Sequence, residues 1–206
     1  MSTPRVGVLA MQGAFREHIE ALRRLGVEAF PVRTVAELDV ADAMILPGGE
    51  STTMDKLLRK FQLQQPLRRR LLDGMPAMAT CAGLILLARD VVDGLPDQES
   101  LGILPITVRR NAYGRQPQSF EAGVELDNLG SPFPAVFIRA PVIEAVDDSL
   151  DVLGVHDGRV VAVSDGRVLG LTFHPELSHD DRLHELFLRQ VEAATAASGR
   201  RQAAGG

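Results

Sequence analysis

Cysteine is almost missing from this chain: Cys81 is the single one in 206 residues. One thiol cannot close an internal disulfide, so nothing in the sequence calls for secretion. A basic excess is missing as well. The net charge is -5 and the isoelectric point is near 5.5, which argues against electrostatic nucleic-acid binding. No apolar run approaches the roughly 18 residues of a membrane span. The early run Val6 to Met11 is too short for the core of a signal peptide. There is no internal repeat and no linker that divides the chain. These absences predict a cytoplasmic protein. What is present is ordinary for a globular domain, with 45% hydrophobic and 24% charged residues, and the length suits one domain.

Taken in order, the chain alternates strand and helix patterns. Arg5 to Met11 is a nearly continuous apolar run, as expected of a strand buried on both faces. Gln12-Gly13 breaks it. Ala14 to Leu25 has helical spacing, with Phe15, Ile19, Leu22 and Leu25 on one side and Gly26 as a C-cap. Val27 to Val32 and Ala43 to Leu46 predict two further strands, and Ser51 to Lys60 and Gln65 to Leu72 predict helices. An apolar stretch from Pro76 leads to Cys81, followed by a helical pattern. This alternation implies an α/β fold with a mainly parallel central sheet. From Gly94 to Gly170 the character changes. Short strands are predicted at Leu101 to Arg109, Phe120 to Val124, Ala135 to Ile138, Val152 to His156, Val160 to Ser164 and Val168 to Phe173. Asp157-Gly158 and Asp165-Gly166 read as hairpin turns, so an added antiparallel portion is expected. A last helix is predicted from about Asp180 to Ala194, closing a single domain over 1–194. The Ala, Ser, Gly and Arg-rich tail 195–206 is expected to be disordered.

Three stretches could carry chemistry. Met78-Ala79-Thr80-Cys81-Ala82-Gly83 has the strand, tight turn, helix layout of a nucleophile elbow, with Cys in the place of Ser. Small neighbours leave room for the turn, and a helix beginning after Cys81 favours the reactive thiolate. An inert buried thiol is the alternative. His174 follows the run Leu169 to Phe173 and precedes Pro175-Glu176. Residues two apart at a strand end point the same way, so Glu176 can reach the His174 ring and fix its tautomer, leaving the other nitrogen for Cys81. A surface His-Pro-Glu turn without a partner is the alternative. His18, His156, His179 and His184 read as structural or solvated, and none has zinc-helix spacing. Pro47-Gly48-Gly49-Glu50-Ser51-Thr52-Thr53 follows a strand and opens a helix. Its glycines present amides to a phosphate or an oxyanion. It lacks the Lys of a phosphate-binding loop and the third Gly of a dinucleotide fingerprint. A plain glycine turn with Ser51 as N-cap is the remaining alternative.

Together, Thr80-Cys81-Ala82-Gly83, His174-Pro175-Glu176 and Pro47-Gly48-Gly49-Glu50-Ser51 resemble the class I glutamine amidotransferases. These are triad glutaminases on a flavodoxin-like three-layer α/β scaffold. Within them the chain looks most like the glutaminase subunits of pyridoxal 5'-phosphate synthases. That finer likeness includes Met11-Gln12-Gly13-Ala14 with Arg16-Glu17-His18, Arg110-Asn111-Ala112-Tyr113-Gly114-Arg115-Gln116, Ser119-Phe120-Glu121-Ala122 and Phe137-Ile138-Arg139-Ala140-Pro141. The resemblance implies Cys81 as nucleophile, His174 as base and Glu176 as orienting acid. It implies an oxyanion hole from Gly49, completed by the Gln12-Gly13 segment on docking. It implies that Gly48, Gly49, Glu50, Arg110, Ile138 and Arg139 hold L-glutamine, in keeping with a guanidinium for the α-carboxylate and a carboxylate or carbonyls for the α-ammonium. It implies glutamate and ammonia as products, the ammonia passing to a separate synthase subunit, and no metal or organic cofactor. Two departures stand near the site: Ala79 where the family usually has Gly two residues before the cysteine, and Ala10-Met11-Gln12-Gly13 where it usually reads Gly-Leu-Gln-Gly. Rival readings are a glutaminase serving another synthesis, a non-catalytic subunit that keeps the fold, and a small cysteine hydrolase.

Overall fold

Short apolar runs, too brief for helices and punctuated by Gly, Pro and Asp, become the central strands of this computed structural model, which describes residues 3–110, 119–127 and 129–204. They are β1 (Arg5–Leu9), β2 (Glu28–Val32), β3 (Ala43–Leu46) and β4 (Ala77–Thr80). Every residue of β3 and β4 is buried, as strands covered on both faces require. Later strands are β10 (Asp151–His156), β11 (Arg159–Ser164) and β12 (Val168–Leu171). Among the described residues these form a seven-stranded sheet in the order β10-β11-β12-β4-β3-β1-β2. The pairs from β2 through β12 are parallel, while β12-β11 and β11-β10 are antiparallel hairpins. Their turns carry Asp157-Gly158 and Asp165-Gly166, as the sequence predicts. The parallel order 2-1-3-4-12 is that of a flavodoxin-like doubly wound sheet.

Alternating side chains split the interior into two layers. Met44, Leu46, Ala77 and Ala79 face α2 (Val35–Asp39), α3 (Ser51–Lys60), α4 (Gln64–Leu72) and α5 (Ala82–Leu87). Ala43, Ile45, Met78, Leu169 and Leu171 face α1 (Phe15–Arg24) and α6 (Arg182–Ala204). That second face is also covered by the hairpin of β7 (Ser119–Val124) and β8 (Phe133–Ile138), which contributes Phe133 and Phe137. A smaller sheet joins β5 (Ala88–Val92), β6 (Leu104–Arg109) and β9 (Val142–Val146).

Four features depart from the sequence expectations. The pattern after Cys81 stops being helical at Leu87, and Ala88 turns directly into β5. β9 and α2 carry too few residues to show a period, although Thr34 and Glu37 form a reciprocal capping box. Thr172 and Phe173 lie beyond the end of β12. Finally, the tail expected to be disordered continues α6 to Ala204. Alanine-rich residues propagate an existing helix at little cost once its nucleus is packed, and the Thr195 hydroxyl donates back to the Val191 carbonyl at 2.9 Å. The predicted motif from Asn111 to Gln116 lies outside the described residues. No helix among those described is long and apolar enough to cross a membrane.

Candidate active site

The four segments singled out in the sequence all leave the sheet from the C-terminal ends of parallel strands. Gln12-Gly13 follows β1, Gly48-Gly49 follows β3, Cys81 follows β4 and His174 follows β12. The chain order reverses between β1 and β3, and ligands of open α/β sheets bind in the crevice at such a point. A cavity of about 410 Å³ lies there. It is lined by Gln12, Gly13, Gly48, Gly49, Glu50, Cys81, Arg110, Ile138, Arg139 and His174, among others. Of the residues predicted for the site, Glu176 alone is absent from the wall, because it stands behind His174.

Cys81 occupies the junction of β4 and α5 with φ 48° and ψ −105°. A non-glycine residue held there is strained and persists only where packing over-determines it. The packing is visible: the Cys81 amide donates to Leu171 at 2.9 Å, and α5 approaches β3 so closely that a Cβ on Gly83 would overlap the Leu46 carbonyl. The sulfur lies 3.7 Å from the Ile138 carbonyl.

The His174 amide donates to the Val136 carbonyl of β8 at 2.9 Å, which ties this residue to the neighbouring hairpin. Its Nδ1 donates to Glu176 Oε1 at 2.7 Å. The contact is the one expected, but the backbone reaches it differently. Pro175–Leu177 is a 3-10 turn rather than an extended strand end, and it folds the carboxylate back under the ring. Burial works against a charged imidazole, yet hydrogen bonds to Cys81 and Glu176 and the carboxylate's charge outweigh it and push His174 up to about 10. Burial likewise favours a neutral Glu176, but the histidines around it hold its carboxyl below the ordinary value. A thiol, an imidazole and a buried carboxylate meet here in the order that covalent catalysis by cysteine uses.

Gly48 and Gly49 supply the facing wall. A Cβ on Gly48 would run into the His174 ring, and one on Gly49 into Gln12. Gln12 Oε1 accepts from the Glu50 amide at 2.6 Å, and the Ala14 amide donates to the Gly48 carbonyl at 3.2 Å, so the two segments brace each other. Gly13, at φ +93°, lies against Gly48 where no side chain fits. Glu50 caps α3, accepting from the Thr52 and Thr53 amides and hydroxyls. Partial burial opposes its ionisation, but these bonds lower it to about 2. It also receives Arg110 Nη2 at 3.1 Å. Gln98, which the sequence reading passed over, accepts from Arg110 Nη1 at 2.7 Å and donates to Ser51 at 3.2 Å, fixing the guanidinium from its other side. Arg139 adds a second guanidinium from a backbone at φ 43°. Arg139 and the Glu50-bound Arg110 place two guanidiniums beside a small cleft, which suits a carboxylate ligand.

His18 and His184, read from sequence as structural or solvated, are fully buried beside this site. His18 Nε2 is 3.3 Å from Glu176 Oε2, and His18 Nδ1 is 3.0 Å from His184 Nε2. No group of side chains able to hold a metal ion occurs among the described residues.

The profile of the SNO glutamine amidotransferase family matches residues 8–193. The chain is 57% identical over 196 residues to a pyridoxal 5'-phosphate synthase subunit PdxT of Acidothermus cellulolyticus, covering 92% of this chain and 95% of that one. It is 53% identical over 195 residues to a subunit of the same name from a Nocardioides species, covering 92% and 97%. A crystal structure of a glutamine amidotransferase superposes with a TM-score of 0.86 at 47% identity, over 91% of this chain and 98% of that one. The fold alone is shared with PurLQS of Thermotoga maritima, at a TM-score of 0.59 and 21% identity over 96% and 99% of the two chains.

Proposed function

We propose, from the premise that this chain belongs to the SNO glutamine amidotransferase family, that it is the glutamine-hydrolysing subunit of a pyridoxal 5'-phosphate synthase. Cys81 Sγ attacks the side-chain amide carbon of L-glutamine. His174 takes the thiol proton and delivers it to the departing nitrogen, which leaves as ammonia. Water, deprotonated by His174, then cleaves the thioester and releases L-glutamate. Glu176 keeps the His174 ring in the tautomer and orientation that both transfers need. The Gly49 amide and the Gln12-Gly13 segment stabilise the oxyanion. Arg110 and Arg139 hold the substrate's α-carboxylate. Glu50, saturated by the α3 cap and by Arg110, serves chiefly to hold Arg110, and Gly48 and Ile138 line the substrate's path. The ammonia passes to a separate synthase subunit, in keeping with the subunit names of the relatives.

The observation that supports this most is the convergence of Cys81 and the hydrogen-bonded His174–Glu176 pair on one small cleft flanked by two arginines. The test is ammonia release from glutamine by the chain alone and with a cognate synthase subunit. Activity is expected to rise with the synthase and to vanish in Cys81→Ala. A Cys81→Ala protein that hydrolyses glutamine at the wild-type rate would remove the nucleophile. Gln12 is bound to the Glu50 amide here, and synthase docking is expected to redirect it. An undiminished rate of Gln12→Ala in the complex would remove that switch.

A further inference from the structure

Glu176 has two carboxylate oxygens, and the proposed mechanism uses one. Oε1 receives His174. Oε2 is completely enclosed and makes no well-aligned hydrogen bond among the described residues. His18 Nε2 of α1 stands 3.3 Å from it and 3.4 Å from the Thr80 hydroxyl. A buried carboxylate with one oxygen unmatched is costly.

We propose that His18 is a positioning residue of the triad, holding Glu176 Oε2 so that Oε1 stays aimed at His174, and that His184 sets the tautomer that allows it. This rests on the glutaminase reading above. Two tautomers of His18 fit the distances: in one, Nε2 accepts from the Thr80 hydroxyl, and in the one required here it carries a proton toward Glu176. Burial keeps His18 and His184 neutral, so each ring has one donor and one acceptor. If His18 Nε2 carries the proton toward Glu176, its Nδ1 must accept, and the only ring facing it is His184 Nε2 at 3.0 Å, which therefore donates. His184 Nδ1 is then a lone pair, with no hydrogen-bond partner among the described residues. Every donor in the series His184, His18, Glu176 points at the carboxylate, from elements 166 residues apart in sequence. The other groups facing the cluster are His174 and Cys81 on the site side, Glu17 beside His18, and Asp181 and Arg24 beside His184. None of these last three touches Glu176.

The pH dependence of Cys81 alkylation by iodoacetamide, in the full chain, tests this directly, since there is no other cysteine to react. A glutamine side chain places its nitrogen near the position of Nε2, whereas asparagine places it near Nδ1. His18→Asn is expected to move the alkylation midpoint up by about one pH unit, the scale of a lost hydrogen bond to a charge. His18→Gln is expected to restore the wild-type midpoint, and Glu176→Gln to move it up at least as far as His18→Asn. Wild-type profiles in both His18 variants, with a shift in Glu176→Gln, overturn the positioning role and leave the triad standing. An unshifted Glu176→Gln overturns the triad assignment and the proposal with it. Equal shifts in His18→Gln and His18→Asn mean that filling space is all His18 does, which also overturns it. Should His18→Asn fail to fold, His184→Phe decides: a smaller upward shift supports the relay, and none refutes it.

Discussion

A single methyl group at Gly48 separates the proposed chemistry from mere resemblance. In Gly48→Ala the new Cβ would lie 2.8 Å from His174 Nδ1 and 3.1 Å from Nε2, and closer still to Cε1. The backbone there is outside the left-handed region, so the effect is steric rather than conformational. Two relaxations are open. The ring can turn away, which gives up the 2.7 Å hydrogen bond from Nδ1 to Glu176. A bond of this charged type contributes about 1.5–3 kcal/mol, and at about 1.36 kcal/mol per decade that is a loss of about 10- to 150-fold in kcat. Alternatively the loop can retreat, which breaks the Ala14-to-Gly48 bond and strains the Gln12-to-Glu50 bond. That path shifts Gly49 and Arg110 as well, so KM rises with the fall in kcat. Steady-state glutamine hydrolysis in the synthase complex reads both constants, and thermal melting checks that the fold survives. A folded Gly48→Ala enzyme with both constants within about twofold of wild type would refute the placement of His174 against this loop.

Two further predictions concern the folded state. His184 is held down to about 3 by burial and by His18, so between its ordinary 6.5 and 3 the unfolded chain binds a proton that the folded protein refuses. Stability therefore falls as pH drops below 6.5, and Glu176 adds to the fall below its ordinary 4.5. His174 is raised to about 10, so its contribution is complete below 6.5 and lost as pH climbs toward 10. Urea midpoints should peak near 6.5, with the acid limb flatter in His184→Phe and the basic limb flatter in His174→Gln; unchanged limbs in both would contradict the assignments. Phe173, fully buried against Phe133 and Phe137 immediately before His174, should lose about 3–5 kcal/mol on Phe173→Ala by urea unfolding. A loss under about 1 kcal/mol would mean the pocket collapses around the gap.

Much of this architecture is legible in the sequence because its signals are local. The strands Arg5–Leu9 and Ala43–Leu46 are apolar runs of strand length, and Asp-Gly marks both hairpins. Cys81 and the His174-Pro175-Glu176 group announce themselves by their immediate neighbours. What escapes the sequence depends on distant partners. His18 looks like any polar residue of an amphipathic helix, and its burial comes from His184 and Glu176, which only the fold brings to it. Gln98 belongs to a stretch without periodicity and acquires its role from Arg110 and Ser51. β5 escapes because Leu84 to Val92 is apolar enough for either helix or strand, and pairing with β6 decides. α6 outruns its predicted end because an established helix carries alanines further than their isolated tendency suggests.

The two outer strands of the large sheet differ from those inside it. On one flank, the Val32 carbonyl of β2 accepts from Ala10, so the adjacent Pro31 turns outward and offers no N–H to a newcomer. On the other, β10 shifts register twice around Gly154, and its outer edge is already taken there by an antiparallel bridge to Leu126 and by the Asp127 amide, which donates to the Leu153 carbonyl at 2.8 Å. Both flanks of the large sheet thus carry an obstacle to strand addition. A partner that approached this sheet edge-on would meet Pro31 on one side and the Leu126 bridge on the other, which leaves side chains and loops as the means of docking to it.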